Sequence, residues 1–330
     1  METDQFNLPH VPLADIGDEV SEYVENNLRM AIAKINAEIV RHQSCVDVTR
    51  GKASECSSPE KEREKLAFLR SNDAVARELY ELSGDGNIFV SKFGTWINSH
   101  DFRASPSRYK TNYLHSIYLA APIDYVTLSP TVKVFGVEFG TDKLDHFFQQ
   151  GYKYYRIYNK ASAKGASTEH AATKAIKWGQ KTERTYFGLL VSGVYSNADL
   201  YANFAGMKFY QGLTKSIEIG SGPRTAAVVL RDGIWTVNDE SLRNTLLKPF
   251  ITDHLNEALN LSGYAFTIFG SVRRAVKKYG CPDWQRAFPH LTAETFAERS
   301  EILESWNGED YGHTNRGRRV SIAETCYEIR

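Results

Sequence analysis

Residues 181–213 read "KTERTYFGLLVSGVYSNADLYANFAGMKFYQGL" and carry a single acid near the start, Glu183, in a stretch that otherwise reads as packing surface. At helical spacing Glu183 continues the line Ala172, Ala175, Ile176, Gly179 and runs on to Tyr186 and Leu190. A carboxyl on such a stripe faces an interior or a cleft. Burial disfavours its charged form and raises its pKa, and an acid still protonated near neutral pH is what cleavage of a glycosidic bond requires. The structural alternative is an acid paired with a buried arginine or a helix end, since such pairs also perturb pKa values.

A second constellation lies in "EFGTDKLDHFF", where Glu138, Asp142, Asp145 and His146 are close in sequence. Asp142 and His146 stand one helical turn apart, as a carboxylate-oriented histidine or two metal ligands would. No third ligand is evident and no His-Glu-x-x-His pattern is completed, so no metal or other cofactor is assigned. Asp142 near a helix N-terminus is favoured by the dipole alone. Gly-x-Ser-x-Gly and Gly-Lys-Ser/Thr patterns are absent.

The elements that must position these groups are mostly helical. "DIGDEVSEYVENNLRMAIAKINAEIVRH" sets Val20, Val24, Leu28, Ala31, Ile35 and Ile39 on one face. After a polar loop, "SPEKEREKLAFLRSNDAVARELYELSG" reads as one helix from a Ser-Pro-Glu start to Gly84. Residues 86–140 are irregular, with a short strand near Val132–Phe139 ending in a glycine turn. Thr141 is the expected N-cap of a helix carrying Leu144, Phe147, Phe148, Gly151, Tyr155 and Tyr158. Ser167 or Thr168 caps a helix whose inward row takes in Glu183 and continues through Tyr186 to Leu190, a small hairpin is expected at 190–198, and a third helix follows with Leu200, Phe204 (or Asn203), Met207 and Tyr210 on one face. The section "IEIGSGPRTAAVVLRDGIWTVND" holds one expected extended segment, and the chain to about residue 300 reads as helical. With no repeats and no long linker, the expectation is a mainly α fold in a single extended domain. It comprises an N-terminal helical region (1–85), a catalytic core (141–214) and a C-terminal region (215–330).

Composition narrows the partners. Forty basic and forty acidic residues give a net charge of zero, which argues against a general nucleic-acid binder or a polybasic membrane-surface protein. No apolar run approaches a membrane span. Cys45 with Cys56, and Cys281 with Cys326, suit two disulfides; free buried thiols in a cytosolic protein are the alternative. If the bridges form, the protein works in a periplasm or is secreted, its signal peptide already removed.

The order of parts after Glu183, a turn around Gly193–Asn197 and then Asp199, Asn203, Gly206, Phe209, Tyr210 and Leu213, resembles the lysozyme-like superfamily. The likeness is to goose-type lysozymes and soluble lytic transglycosylases, over roughly 50 residues, with an extension toward the deacetylated-peptidoglycan lysozyme of predatory bacteria. Where the transglycosylase turn carries Gly-Leu-Met-Gln, this chain has "SGVYSNAD". The resemblance implies a lysozyme-like helical core and cleavage of β-1,4 bonds of a peptidoglycan strand by hydrolysis or transglycosylation, with Glu183 as general acid. On it Tyr195, Ser196 and Asn197 are candidates to bind sugar groups, Asp199 to orient water or cap its helix, and His146 to line the opposite side of the cleft. Two rivals stand beside it: a non-enzymatic envelope protein that binds glycan or protein through its tyrosines, and a metal-dependent hydrolase on Asp142 and His146.

Overall fold

Helix α1 (Gly17–Asp47) is the longest element, and the face expected from sequence is the one it buries: Val20, Val24, Leu28, Ala31, Ile35 and Ile39 are all closed to solvent. Each such side chain contributes about 1.5–3 kcal/mol. The fold is seen in a computed structural model, which describes residues 2–47, 56–87, 90–120, 128–220, 222–242 and 246–327. Most of the polar loop expected after α1 and the "APIDYVT" segment lie outside the described residues. The chain is mainly α-helical with a few short strands.

The single helix expected between Ser58 and Gly84 is two, α2 (Pro59–Leu69) and α3 (Asn72–Ser83). Ser71, Asn72 and Asp73 favour caps and turns over helix interiors, and the chain restarts there. The break pays structurally, because it presents Asp73 to the Tyr155 hydroxyl at 2.9 Å and the Asn159 amide at 2.7 Å. A short helix α4 (Lys92–Ser99) follows, its cap made by the Ser91 hydroxyl accepting from the Gly94 amide. Where one short strand is expected, strands β1 (Thr131–Val134) and β2 (Val137–Gly140) form an antiparallel hairpin, because Phe135 and Gly136, both at positive φ, turn the chain midway.

The next helix runs as α5 (Asp142–Asp145), a π-helical turn (His146–Gln150) and α6 (Gly151–Ser162). Thr141 does not cap it: its backbone is already helical and its hydroxyl donates to the Asn98 side-chain oxygen. Helix α7 (Thr168–Glu183) starts at Ser167, whose hydroxyl accepts from the His170 amide. It stops at Glu183, so Tyr186 and Leu190 leave the expected inward row and stand exposed in the turns that follow. Helix α8 (Asn197–Gly212) is buried on all sides, the mark of a central helix. At its crossing with α6, Gly206 meets Gly151 backbone to backbone; a Cβ on Gly206 would lie 2.0 Å from the Phe147 carbonyl oxygen.

The local hairpin expected at 190–198 is absent. Strand β3 (Val194–Tyr195) instead pairs with a partner some seventy residues on, in an antiparallel sheet completed by a third strand; the site below is built on it. The section expected to hold one extended segment forms two hairpins, β4 (Ile217–Ile219) with β5 (Gly222–Arg224) and β6 (Val228–Arg231) with β7 (Ile234–Val237). Strand β8 (Gly263–Tyr264) is the partner of β3, and β9 (Arg318–Arg319) flanks it on the other side. Between them lie helices α9 (Phe266–Ala275), α10 (Cys281–Ala287) and α11 (Ala293–Ile302), with α12 (Ile322–Cys326) last.

One large apolar cluster unites α1 with α5–α8 and their hairpins, and a smaller one gathers Phe6, Tyr118, Val194, Trp284 and the C-terminal helices. Both cysteine pairs close as expected, Cys45–Cys56 and Cys281–Cys326. Among the described residues no helix is long and apolar enough to cross a membrane.

Candidate active site

Where α5, α7, α8 and β3 converge, the interior is ionic. The Lys143 ammonium, fully closed to solvent, bonds to Asp142 at 2.6 Å, Asp199 at 2.6 Å and Glu257 at 2.7 Å. Burial acts to strip its proton, but the surrounding carboxylates more than reverse this and hold its pKa well above the usual range. The segment 2–7 threads through the same interior. Thr3 donates to Asp142 at 2.5 Å, the Gln5 side-chain oxygen accepts from the Glu257 amide at 2.6 Å, and the Tyr118 hydroxyl lies 3.1 Å from Glu257 and 3.4 Å from Glu2.

Glu183 closes the far end of this network. It is the last residue of α7 and only 1% exposed. Its Oε2 accepts from the Ser196 amide at 3.3 Å, while Oε1 has no hydrogen-bond partner. Burial first, then the charges of Asp199 and Glu2, push its pKa well above the ordinary carboxyl range, so it holds its proton. Gly188 is packed over it; a Cβ there would sit 2.9 Å from Oε2, so the turns 184–192 cover the carboxyl.

Of the other expected residues, Ser196 and Asp199 join the network and Tyr195 borders it. Ser196, not Asn197 or Asp199, caps α8: its hydroxyl accepts from the Asp199 amide and donates to Glu257 at 2.8 Å. Asp199 spends both oxygens, Oδ1 on Lys143 and Oδ2 facing His146 Nε2 at 3.3 Å. Burial works to raise its pKa, yet the His146 ring and Lys143 hold it below the usual range. His146 places Nδ1 3.1 Å from the Asn203 side-chain oxygen, and burial lowers its pKa. Tyr195 is 4% exposed, its hydroxyl unpartnered and its pKa pushed up to about 12, mainly by burial. Asn197 points elsewhere: its amide donates to the carbonyls of Leu261 and Thr314, and its oxygen accepts from the Thr314 amide.

Asp142 and His146 do not form the pair that their spacing suggests. Asp142 serves Thr3 and Lys143, His146 faces Asn203 and Asp199, and Asp145 turns to Ser91. Two trios bring ligand-type atoms within 4.8 Å of one another, His146–Glu183–Asp199 and Glu2–Asp142–Glu257. In the second, Lys143 already supplies the positive charge to two of the three acids.

Sequence reasoning missed Lys143, Glu257 and Glu2. Lys143 sits four residues before the buried Phe147, on the same helical face, and that position was its only signal. Glu257 and Glu2 lie outside any periodic element, and nothing local marks them.

A cavity of about 420 Å³ abuts this cluster through Tyr195. Leu189, Tyr195 and Tyr264 form part of its wall, with Arg184, Thr314 and Arg316 around them. Other cavities lie away from Glu183, among them one of 360 Å³ between α11 and α12 and an open groove of 780 Å³ between α3 and α6. Comparison of the chain with protein-family models, with curated proteins and with solved structures finds no match. Its chemistry is therefore argued from its own residues.

Proposed function

We propose that the protein is a lysozyme-like glycosidase that cleaves β-1,4 bonds of peptidoglycan, in a periplasm or outside the cell, with Glu183 as general acid. The observation that carries this reading is the Glu183 carboxyl: buried at a helix end, kept protonated, one oxygen unpartnered, and beside a tyrosine-walled cavity. Substrate reaches it when the turns 184–192, Gly188 among them, lift from the carboxyl. Glu183 then gives its proton to the glycosidic oxygen as the bond from the anomeric carbon breaks, the electron pair leaving with that oxygen. The cation left at the anomeric carbon is captured by water, whose proton returns to Glu183, or by the sugar's own hydroxyl, which gives an anhydro end.

Asp199 is given no catalytic step in this reading: its oxygens are committed to Lys143 and His146, and its approach to within 4.8 Å of Glu183 is shorter than the roughly 6.5–9.5 Å that inverting enzymes keep for a water. Native and deacetylated peptidoglycan incubated with the parent and with Glu183→Gln supply the test. Soluble fragments from the parent alone, identified by mass spectrometry, are expected, with at least a 100-fold loss in the variant at unchanged circular dichroism, and their reducing or anhydro ends name the reaction. No fragments from either substrate, with folded protein sedimenting on sacculi, would leave a binding protein. Loss of activity on chelation would point instead to a metal-dependent hydrolase on His146, Glu183 and Asp199.

A further inference from the structure

The walls of the cavity beside Glu183 carry positive charge and no negative charge. Arg184 directly follows the acid, and Arg316, on the segment before β9, lines the same cavity. Arg318, at the start of β9, lies over the rings of Phe266 at 4.5 Å and Phe269 at 5.5 Å. Among the described residues none of these three guanidinium groups has a carboxylate within ion-pair distance, and no Asp or Glu lines the cavity. Asp310, whose charge reaches Tyr195, lies outside the lining and accepts from the Gly312 amide. In a chain with forty cations and forty anions, two arginines without a carboxylate partner on one cavity wall, with a third just beyond it on β9, are a local surplus.

That rim is built rather than loose. Asn197 clamps Thr314 through both its backbone groups, and the Thr314 hydroxyl accepts from the Arg316 amide at 3.2 Å, which fixes where Arg316 leaves the backbone. Gly317 turns the chain at φ +100°, a conformation that a side chain would strain. The role of Asn197, which the cluster around Glu183 does not use, is thus to hold the arginine loop.

We infer that this cavity is a carboxylate-binding subsite, in which Arg184 and Arg316 grip an acidic substituent of the glycan next to the bond presented to Glu183. The identity of the ligand rests on the glycosidase reading; the anion site itself does not. Guanidinium groups match carboxylates in plane and pair of donors, and the tyrosine wall suits the sugar ring that carries them. The acidic group is the lactyl carboxylate of a muramic acid or a carboxylate of its peptide stem.

The test is binding by isothermal titration calorimetry to Glu183→Gln, which cannot turn substrate over on this reading. Four probes serve: chitotetraose, a peptide-free tetrasaccharide of alternating N-acetylglucosamine and N-acetylmuramic acid, the same tetrasaccharide carrying stem tetrapeptides, and the free tetrapeptide. The better-bound of the two muramic acid probes is expected to bind at least tenfold tighter than chitotetraose, and Arg184→Ala and Arg316→Ala, both at exposed positions, each to remove most of that margin. The margin also shrinks as salt is raised. In the peptide-bearing probe the lactyl carboxyl is tied up in the amide bond to the stem, so tighter binding of that probe assigns the subsite to stem carboxylates, tighter binding of the peptide-free probe assigns it to the lactyl group, and equal affinity means that the arginines accept either carboxylate. Equal binding of chitotetraose and the muramic acid probes, or arginine variants that bind like the parent, overturns the subsite and leaves the glycosidase reading standing. Arginine-dependent binding of the free tetrapeptide with no glycan bound keeps the anion site and sinks the glycan.

Discussion

Two buried carboxyls each leave one oxygen without a partner, Glu183 and Asp145, and their surroundings give them different work. Glu183 receives only the long bond from the Ser196 amide and lies beside a cavity. Asp145 receives two short bonds on Oδ1, from the Ser91 amide at 2.7 Å and hydroxyl at 2.6 Å, and packs on Gly94, where no Cβ would fit. It ties α4 to α5. Burial nevertheless pushes its pKa up to about 7, against the lowering effect of the Ser91 bonds. The folded state thus holds this proton to higher pH than the unfolded chain, so its contribution is complete below the unfolded value near 4 and is lost as pH rises through about 7. Asp145→Asn keeps the accepting oxygen without the charge. Thermal melts between pH 5 and 8 are expected to show the variant losing less stability than the parent as pH rises. Parallel slopes would mean that Asp145 ionises in the fold as freely as in the unfolded chain.

At the scale of elements, helix spacing rather than local chemistry decides what can assemble. Helices α6 and α8 approach so closely at Gly151 and Gly206 that added side-chain atoms have nowhere to go: the obstacles at 206 are backbone, the Phe147 carbonyl and the Gly151 Cα. Gly206→Ala should gain a few tenths to 1 kcal/mol in helix propensity and lose more, about 1–3 kcal/mol or beyond, by forcing the helices apart. Urea melts showing a lower midpoint, with Gly212→Ala as a control whose obstacles are the mobile ends of Ile217 and Arg224, would confirm the crossing. A midpoint at or above the parent's would refute it.

The same scale shows what could be read in advance. The apolar stripe of α1, the helix that carries Glu183 and the extended character of Val132–Phe139 were legible because each is written in local periodicity; the end of that helix at Glu183 and the folding of 131–140 into two strands were not. The pairing of β3 with β8 was not, since two-residue strands seventy positions apart carry no periodic signal, and an acceptable Gly/Ser turn pointed to a local hairpin instead. The candidate site divides in the same way. Glu183, Asp199 and His146 lie on helices whose phase can be counted, whereas Glu257 and Glu2 are brought in by irregular chain.

At the scale of the whole molecule the ionic cluster acts as a centrepiece. Lys143 gathers acids from α5, α8 and the segment after Leu255, and through Asp142, Glu257 and Tyr118 these reach the chain's first residues. Such a cluster is poor evidence for stability, because desolvating the charges cancels much of their attraction. Its effect is to make distant segments interdependent. The clearest consequence follows from removing its one ammonium. Lys143→Met keeps similar bulk but leaves Asp142, Asp199 and Glu257 buried without it, which costs about 3–5 kcal/mol. The cost depends on pH with a definite sign. Burial already pushes Glu257 up to about 7 and Glu2 well above the usual range, and Lys143 acts to lower both and Asp199, so without it these three acids hold their protons more tightly. At pH 5 the variant relieves repulsion by protonating them; at pH 8 fewer protons are available and the repulsion remains. Denaturant melts of parent and variant should therefore differ more at pH 8 than at pH 5. An equal difference at both would mean that Lys143 contributes packing rather than charge, and a difference below about 1 kcal/mol would mean that the surrounding acids are neutral in the fold already.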